Sequence, residues 1–285
     1  MALEGDRIQR VTTRRDVTRW IVHLVLLLGV VWSLFPFVWM VFTSLKSYIE
    51  ASAAQSLFPK HWLFSNYAVA WNQVGIFPRY FANTIFIATA TVLGVLITAS
   101  LAAYAFARME FPGRDVLFIV LLATMMVPFE VTLVPNFILM RYFGWINRYQ
   151  ALIIPWTASA FSVFLLRQFF RSIPSDLHDA AVMDGCGSLR FLWAIVLPLS
   201  QPALITTALF TFLGSWNSLM WPLLVTNNPT MRPIQVGIAA FITDAGTQVQ
   251  FLLAAVTISV IPVILLYLVL QRWFIEGIAT VGIRG

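Results

Sequence analysis

Six runs of apolar residues, each close to the length of a bilayer crossing, constrain this chain more than anything else in it. They are Ile21–Ser44, Thr84–Ala107, Val116–Met140, Ala151–Phe170, Ala203–Val225 and Phe251–Leu270. A helix spanning hydrocarbon needs about 20 mostly apolar residues, and there every backbone N–H and C=O must bond within the protein. Continuous apolar runs of this length therefore predict six membrane helices. A chain that is 60% apolar and 11% charged is no ordinary soluble domain. The fourth run is the weakest, because Arg167 and Gln168 sit in its last turn. A long basic side chain near a helix end can snorkel to the interface, so the run is retained. The first run is longer than the roughly 7–15 apolar residues of a cleaved signal, and the Ala51-Ser52-Ala53 imitation of a cleavage site lies well beyond its end.

Orientation follows from the basic residues. With the N-terminus inside, twelve of the 18 Lys and Arg residues fall on the cytoplasmic side and six outside. Both termini are predicted to be cytoplasmic. The expected organisation is a cytoplasmic segment over 1–20, a six-helix membrane domain over 21–274 and a cytoplasmic tail over 275–285. The net charge of +6 reads as this orientation signal plus attraction to anionic lipid rather than as a nucleic-acid footprint. The single cysteine, Cys186, excludes an internal disulfide and a thiolate metal cage.

Chemistry-bearing motifs are sparse. The two lysines, Lys46 and Lys60, do not follow glycine, so no phosphate-binding G-x-x-x-x-G-K-[ST] loop exists and the chain does not hydrolyse nucleotide by itself. His23, His61 and His178 are far apart, which disfavours a zinc site; His178 is expected on the exposed side of its helix. Glu130 is the one carboxylate deep in an apolar run, in Val127-Pro-Phe-Glu-Val-Thr-Leu-Val-Pro135. It either lines a substrate path or satisfies backbone groups freed by Pro128 and Pro135. In the fifth run, Gly214 and Ser215 are suited to close helix contact, with Asn217 bonding across it. Helix packing is the first reading of this stretch, and stacking on and bonding a sugar ring through Trp216, Asn217 and Trp221 is the second. The outer segment 45–83 is rich in aromatics and reads as an interfacial belt or as a docking surface. A second outer segment, 227–250, opens on the turn Asn227-Asn228-Pro229-Thr230, and 234–243 is expected to re-enter or lie on the surface.

One segment is neither apolar nor unstructured. In Ser172–Gln201, Pro174 and Ser175 read as a helix start with Ser175 as N-cap, and Asp176 and Asp179 suit the positive end of the helix dipole. Gly185 and Gly187 read as stops. The helix is too short and too polar to cross a bilayer, and it carries small residues on the cytoplasmic side. That is the form of a surface made to be gripped.

The run Asp179-Ala-Ala-Val-Met-Asp-Gly-Cys-Gly187, followed by Phe191 and Leu197-Pro198, resembles the EAA loop of binding-protein-dependent ABC importer permeases, here with aspartate for the usual glutamate and Cys186 for the usual alanine. Phe58-Pro59 with Asn66-Tyr67, Asn83-Thr84, Pro128-Phe-Glu-Val with Pro135, Trp216-Asn217 with Trp221-Pro-Leu, and the terminal Gly282-Ile-Arg-Gly285 are similar to its carbohydrate-uptake, MalG-like branch. The resemblance implies an all-α integral membrane protein of the type I ABC importer permease fold, in the bacterial or archaeal cytoplasmic membrane. It implies that the EAA segment is a coupling helix docking on an ATPase through Asp179, Ala180, Ala181, Met183, Asp184 and Gly185, with Arg284 and Gly285 of the tail at the ATPase dimer. Implied partners are a second permease, two ATPase subunits that bind the ATP and Mg, and an external solute-binding protein facing 227–250. No cofactor is expected on this chain. The implied cargo is a sugar or oligosaccharide, with glycerol-3-phosphate or its diesters as the alternative and a stand-alone secondary transporter as the rival class.

Overall fold

The structure is a computed structural model that describes the backbone of residues 2–53, 56–72, 77–243 and 246–282, with side chains over 19–53, 56–72, 77–242 and 246–271. It is almost wholly helical and divides into two compact units, residues 1–70 with 244–257 and residues 71–243 with 258–285.

In the first unit α1 (Ala2–Ser44) runs on continuously, so the boundary expected at 20/21 falls inside a helix. None of its most apolar stretch is buried, which is the mark of a helix whose partners are lipid or another chain. A sharp corner follows. Ser47 caps α2 (Tyr48–Ala53): its Oγ lies 3.4 Å from the Glu50 amide, and Glu50 Oε2 accepts from the Ser47 amide at 3.3 Å. This is a reciprocal capping box over S-x-x-E. Asn66 Nδ2 donates to the carbonyls of Ser44 and Lys46, both at 2.8 Å, and closes the corner. Phe42 meets Phe58 and Trp62 at 5.0 and 5.7 Å between ring centroids, and Phe58, Trp62 and Phe64 are exposed. The outer aromatics thus divide, because Phe77 and Tyr80 are core residues of the second unit.

The second unit is organised on α4 (Phe77–Arg108), which follows α3 (Ser65–Asn72). Against α4 lie α8 (Ala160–Ser172) and α12 (Gln201–Trp216), with α5 (Arg114–Ala123), α6 (Phe129–Tyr142) and α7 (Tyr149–Ile153) between α4 and α8 in sequence. One core cluster joins Ala99, Ala103 and Tyr104 of α4 to Leu166 and Phe170 of α8 and to Phe191, Leu192 and Val196. Another, along the earlier half of α4, joins Ile87 to Leu152, Trp221 and Val225.

Among the described residues, three helices are long and apolar enough to cross a membrane, and six spans result if each of three bent pairs counts as one. Three of the six expected spans are thus broken rather than continuous helices. The third run breaks by 98° between Met126 and Phe129, because Pro128 forces Val127 into extended backbone at φ −81°, ψ 114°. The fourth bends by 40°, and Ser159 restarts the helix by accepting from the Ser162 amide. The fifth also differs in its bounds. Ser188–Leu199 leads into α12 through an 83° bend, and α12 stops at Trp216 before a separate α13 (Met220–Val225). Within Ser188–Leu199, α10 (Ser188–Phe191) passes through a π-helical turn over Leu192–Val196 into α11 (Leu197–Leu199). Pro198 has no N–H for the Ala194 carbonyl, and the ladder widens just ahead of it, with Leu197 donating to Leu192. The stretch 234–243 begins as α14 (Ile234–Ala239), whose Ile234, Val236 and Ile238 are buried against α4. Gly237 meets Tyr80 so closely that a Cβ would lie 2.2 Å from the ring. The last described helix is α15 (Val249–Gly282).

Candidate functional site

The capped segment folds as a nine-residue helix, α9 (Ser175–Met183). Pro174, not Ser175, is its N-cap, and no side chain caps it; Ser175 is already helical, because proline's fixed φ pre-forms the turn ahead of it. The C-terminus is stronger. Gly185 adopts φ +73°, its amide donates to Val182 O at 2.9 Å, and the Cys186 amide donates to Ala181 O at 2.8 Å. These two bonds form a Schellman motif, and the left-handed conformation favours glycine. Gly187, at φ −73°, is instead the N-cap of α10.

The two faces of α9 differ. Asp179, Ala180, Met183, Asp184 and Gly185 are exposed, Met183 to 88%. Ala181 is 7% exposed and belongs to the core with Ile173 and Phe191, so of the two alanines Ala180 alone is exposed. His178, expected on the exposed side, is half-buried, its ring edge-on to Phe191 at 5.0 Å. Its Nδ1 is 3.7 Å from Asp179 Oδ1, an ion pair when the imidazole is protonated. Arg284 and Gly285 lie outside the described residues.

The base beneath α9 is bolted by two arginines. Arg108 at the end of α4 donates to the carbonyls of Phe170, at 2.8 Å, and Ile173. Arg167 on α8 returns the contact: Nε donates to Phe106 O at 3.2 Å, the guanidinium stacks on Phe118 at 3.9 Å, and Nη2 lies 3.8 Å from Asp115. Arg167 therefore does not snorkel. It is 7% exposed, and satisfying the Phe106 carbonyl in the last turn of α4 outweighs hydration.

Along the other half of α4 lies a cavity of about 410 Å³ between α4, α7, α12 and α13, within the size range of small-molecule sites. Trp221 lines it, as does Trp156, whose ring meets Trp221 at 5.9 Å and 81°. Trp221 Nε1 donates to Ala151 O at 2.8 Å, which fixes its ring. Gly214 and Ser215 line the cavity too, and a Cβ on Gly214 would meet nothing within 4 Å. The close helix contact expected there is made instead at Gly94, where a Cβ would lie 2.4 Å from Thr157 Cγ2.

Three residues expected on the path do not line this cavity. Trp216 is buried behind it, stacked on Phe212 at 5.2 Å. Asn217 is exposed at the end of α12. Glu130 is exposed in the first turn of α6, past the bend, with no hydrogen bond or ion pair among the described residues; its place at a helix start suits a carboxylate. Missed in the sequence were Trp156, Thr91, Thr211 and Ser218, while Ser215 was expected only in helix packing; the i, i+4, i+7 spacing of Thr211, Ser215 and Ser218 is visible once α12 is known to face a cavity.

The turn at 227–232 is also held firmly. Asn83 Nδ2 donates to the carbonyls of Thr230 and Arg232 at 2.9 and 3.0 Å, while its Oδ1 accepts from the Tyr149 hydroxyl at 2.8 Å. Thr84 Oγ1 accepts from the Ile234 amide at 2.7 Å. Asn147, at φ 61°, accepts from the amides of Asn227 and Asn228. The Asn83-Thr84 pair is thus the anchor of this turn.

Residues 90–280 match the family described as binding-protein-dependent transport system inner membrane component. The chain is 34% identical over 254 residues to the diacetylchitobiose uptake system permease protein NgcG of Streptomyces coelicolor, covering 88% of this chain and 84% of that one. It is 34% identical over 264 residues to the sn-glycerol-3-phosphate transport system permease protein UgpE of Yersinia pestis, 90% and 94% of the two chains. It is 33% identical over 227 residues to the arabinooligosaccharides transport system permease protein AraQ of Halalkalibacterium halodurans, 80% and 81%. Its fold superposes with TM-score 0.81 and 27% identity on a chain of a bacterial ABC transporter involved in import of the acidic polysaccharide alginate, covering 92% of this chain and 98% of the other. With the helical architecture, the bent spans and the matched length all in agreement, this chain belongs to the binding-protein-dependent transport system inner membrane components.

Proposed function

We propose that this chain is one of two permease subunits of an ATP-driven importer for a sugar or oligosaccharide. An external solute-binding protein delivers the cargo at the face carrying 227–232. Two ATPase subunits, which hold the ATP and Mg, grip α9 from the cytoplasm, where both termini also lie. The observation that carries the proposal is α9 itself: a capped helix with Asp179, Ala180, Met183 and Asp184 outward and Ala181 seated in the core beneath. Closure of the ATPases displaces α9, and its seat on α4 and α8 passes that motion on as a rigid-body change between two states. Arg284 and Gly285 extend the same contact in this proposal.

The test is made in the assembled transporter. Ala180→Glu and Met183→Glu place charge on the outward face without touching the core. Both should abolish the stimulation of ATP hydrolysis by loaded binding protein while leaving this chain folded and inserted. Deletion of 176–187 should abolish assembly with the ATPases. Normal transport in that deletion, or unchanged stimulation in both point variants, would overturn the proposal.

A further inference from the structure

The cavity beside α4 carries a statement about cargo that the relatives, which include permeases for neutral sugars and for an anion, leave open. We infer that the cavity is a binding site for one neutral sugar ring, held by this chain alone. The inference rests on the importer reading above.

No charged side chain lines the cavity among the described residues. Moving a phosphate or carboxylate out of water into a pocket without a cation costs far more than a hydroxyl does, so the site selects against anions. What lines it instead is a corner and a ladder. The rings of Trp156 and Trp221 meet at 81° and offer two apolar walls. The Trp221 N–H is already bonded to Ala151 O, so that ring stays in place and presents carbon rather than a donor. Opposite, Thr211, Ser215 and Ser218 follow one face of α12 and the residues just past its end, and none has a side-chain hydrogen bond among the described residues. Thr91 lines the α4 side, and its buried hydroxyl has no partner either. Hydroxyls donate and accept at once, which matches the hydroxyl edge of a sugar, while the sugar's C–H faces match indole. A bare helix-packing role for these small residues is at odds with the open space around Gly214.

The experiment is cysteine protection in the full complex. Ser215→Cys is made in a Cys186→Ala background and assembled with the partner permease and ATPases in nanodiscs. The rate of labelling by a small charged methanethiosulfonate is measured with maltose, cellobiose, N,N′-diacetylchitobiose or arabinobiose present, and with sn-glycerol-3-phosphate or glucuronate at matched ionic strength. At ten times its dissociation constant a bound sugar should slow labelling about tenfold, and the two anions should not. Thr211→Cys and Ser218→Cys repeat the measurement should Ser215→Cys not assemble. Equal protection by the anions would overturn the inference. Absence of protection by every neutral sugar, in a preparation that imports one of them with its binding protein, would overturn the cavity site alone. Import of glycerol-3-phosphate and of none of the sugars would overturn the cargo reading on which it rests.

Discussion

Two glycines two residues apart, Gly185 and Gly187, make a controlled test of how α9 is held. Neither would meet anything within 4 Å on gaining a Cβ, so sterics with neighbours do not distinguish them. Only backbone conformation does: Gly185 stands at φ +73° and Gly187 at −73°. An L-residue in the left-handed region costs about 1–2 kcal/mol, whereas φ −73° costs an alanine nothing. Gly185→Ala should therefore raise the local opening of the helix end about 5- to 30-fold, since each 1.4 kcal/mol is a factor of ten. The readout is hydrogen exchange at the three amides that close the helix, those of Asp184, Gly185 and Cys186. Gly185→Asn should fall between wild type and alanine, because asparagine tolerates this conformation. Gly187→Ala should exchange like wild type. Equal acceleration in the two alanine variants, or none in Gly185→Ala, would refute the reasoning that the Schellman motif fixes the end of α9.

Three further outcomes are expected. Gly94→Ala forces a Cβ to 2.4 Å from Thr157 Cγ2 and 3.0 Å from its Cβ; overpacking of this kind costs about 1–3 kcal/mol, which lowers the thermal midpoint of the detergent-solubilised protein, and Thr157→Ala restores part of the loss. Asn83→Ala strips donors from the carbonyls of Thr230 and Arg232 and an acceptor from Tyr149; at about 1–3 kcal/mol for groups left unpaired, exchange over 229–234 rises while that of α9 is unchanged. Desolvation pulls the Glu50 carboxyl upward, but the amides of Ser47 and Lys60, the Ser47 hydroxyl and the Lys60 charge outweigh it and hold it below the usual carboxylate value. A depressed folded-state value means stability present above the unfolded value and lost as pH falls through the folded one, so the Ser47 and Lys60 amides lose protection in acid, and Glu50→Gln removes that pH dependence.

What the sequence disclosed, and what it withheld, follows the range of the interactions concerned. The apolar runs and the short polar helix are local patterns: the short helix and three runs appear as continuous helices where expected, while the other three runs appear as bent pairs and the fifth with shifted bounds. The prolines at 128, 198 and 202 announce breaks, but bends of 98° and 83° depend on what each half packs against. That is why Glu130 reads as buried in a continuous run and emerges at the exposed start of α6. The capping box of Ser47 and Glu50 went unread, although its S-x-x-E pattern is closed within four residues. The Asn83 anchor was not legible, because its partners Thr230 and Arg232 lie 147 and 149 positions away. The cavity fails for the same reason: Trp156 and Ser215 share it only after α7 and α12 are brought to the same stretch of α4.

Ala180 and Ala181 press that point to a decision. They are adjacent, identical in chemistry and both expected to face the ATPase, yet a helix turns 100° between them and the structure sends them opposite ways. Enlarging each to leucine separates seating from gripping. Ala181→Leu pushes a larger side chain toward Phe191 and Ile173, costing about 1–3 kcal/mol as core overpacking. Its thermal midpoint should fall, and stimulation of ATP hydrolysis should fall with it because α9 is displaced from its seat. Ala180→Leu meets only solvent in this chain, so the midpoint should hold while stimulation is lost through obstruction of the partner. The paired measurements are a melting curve of the solubilised chain and ATPase rates of the assembled transporter. If Ala180→Leu destabilises the chain, or Ala181→Leu alone blocks stimulation at an unchanged midpoint, the outward face has been assigned to the wrong side of the helix.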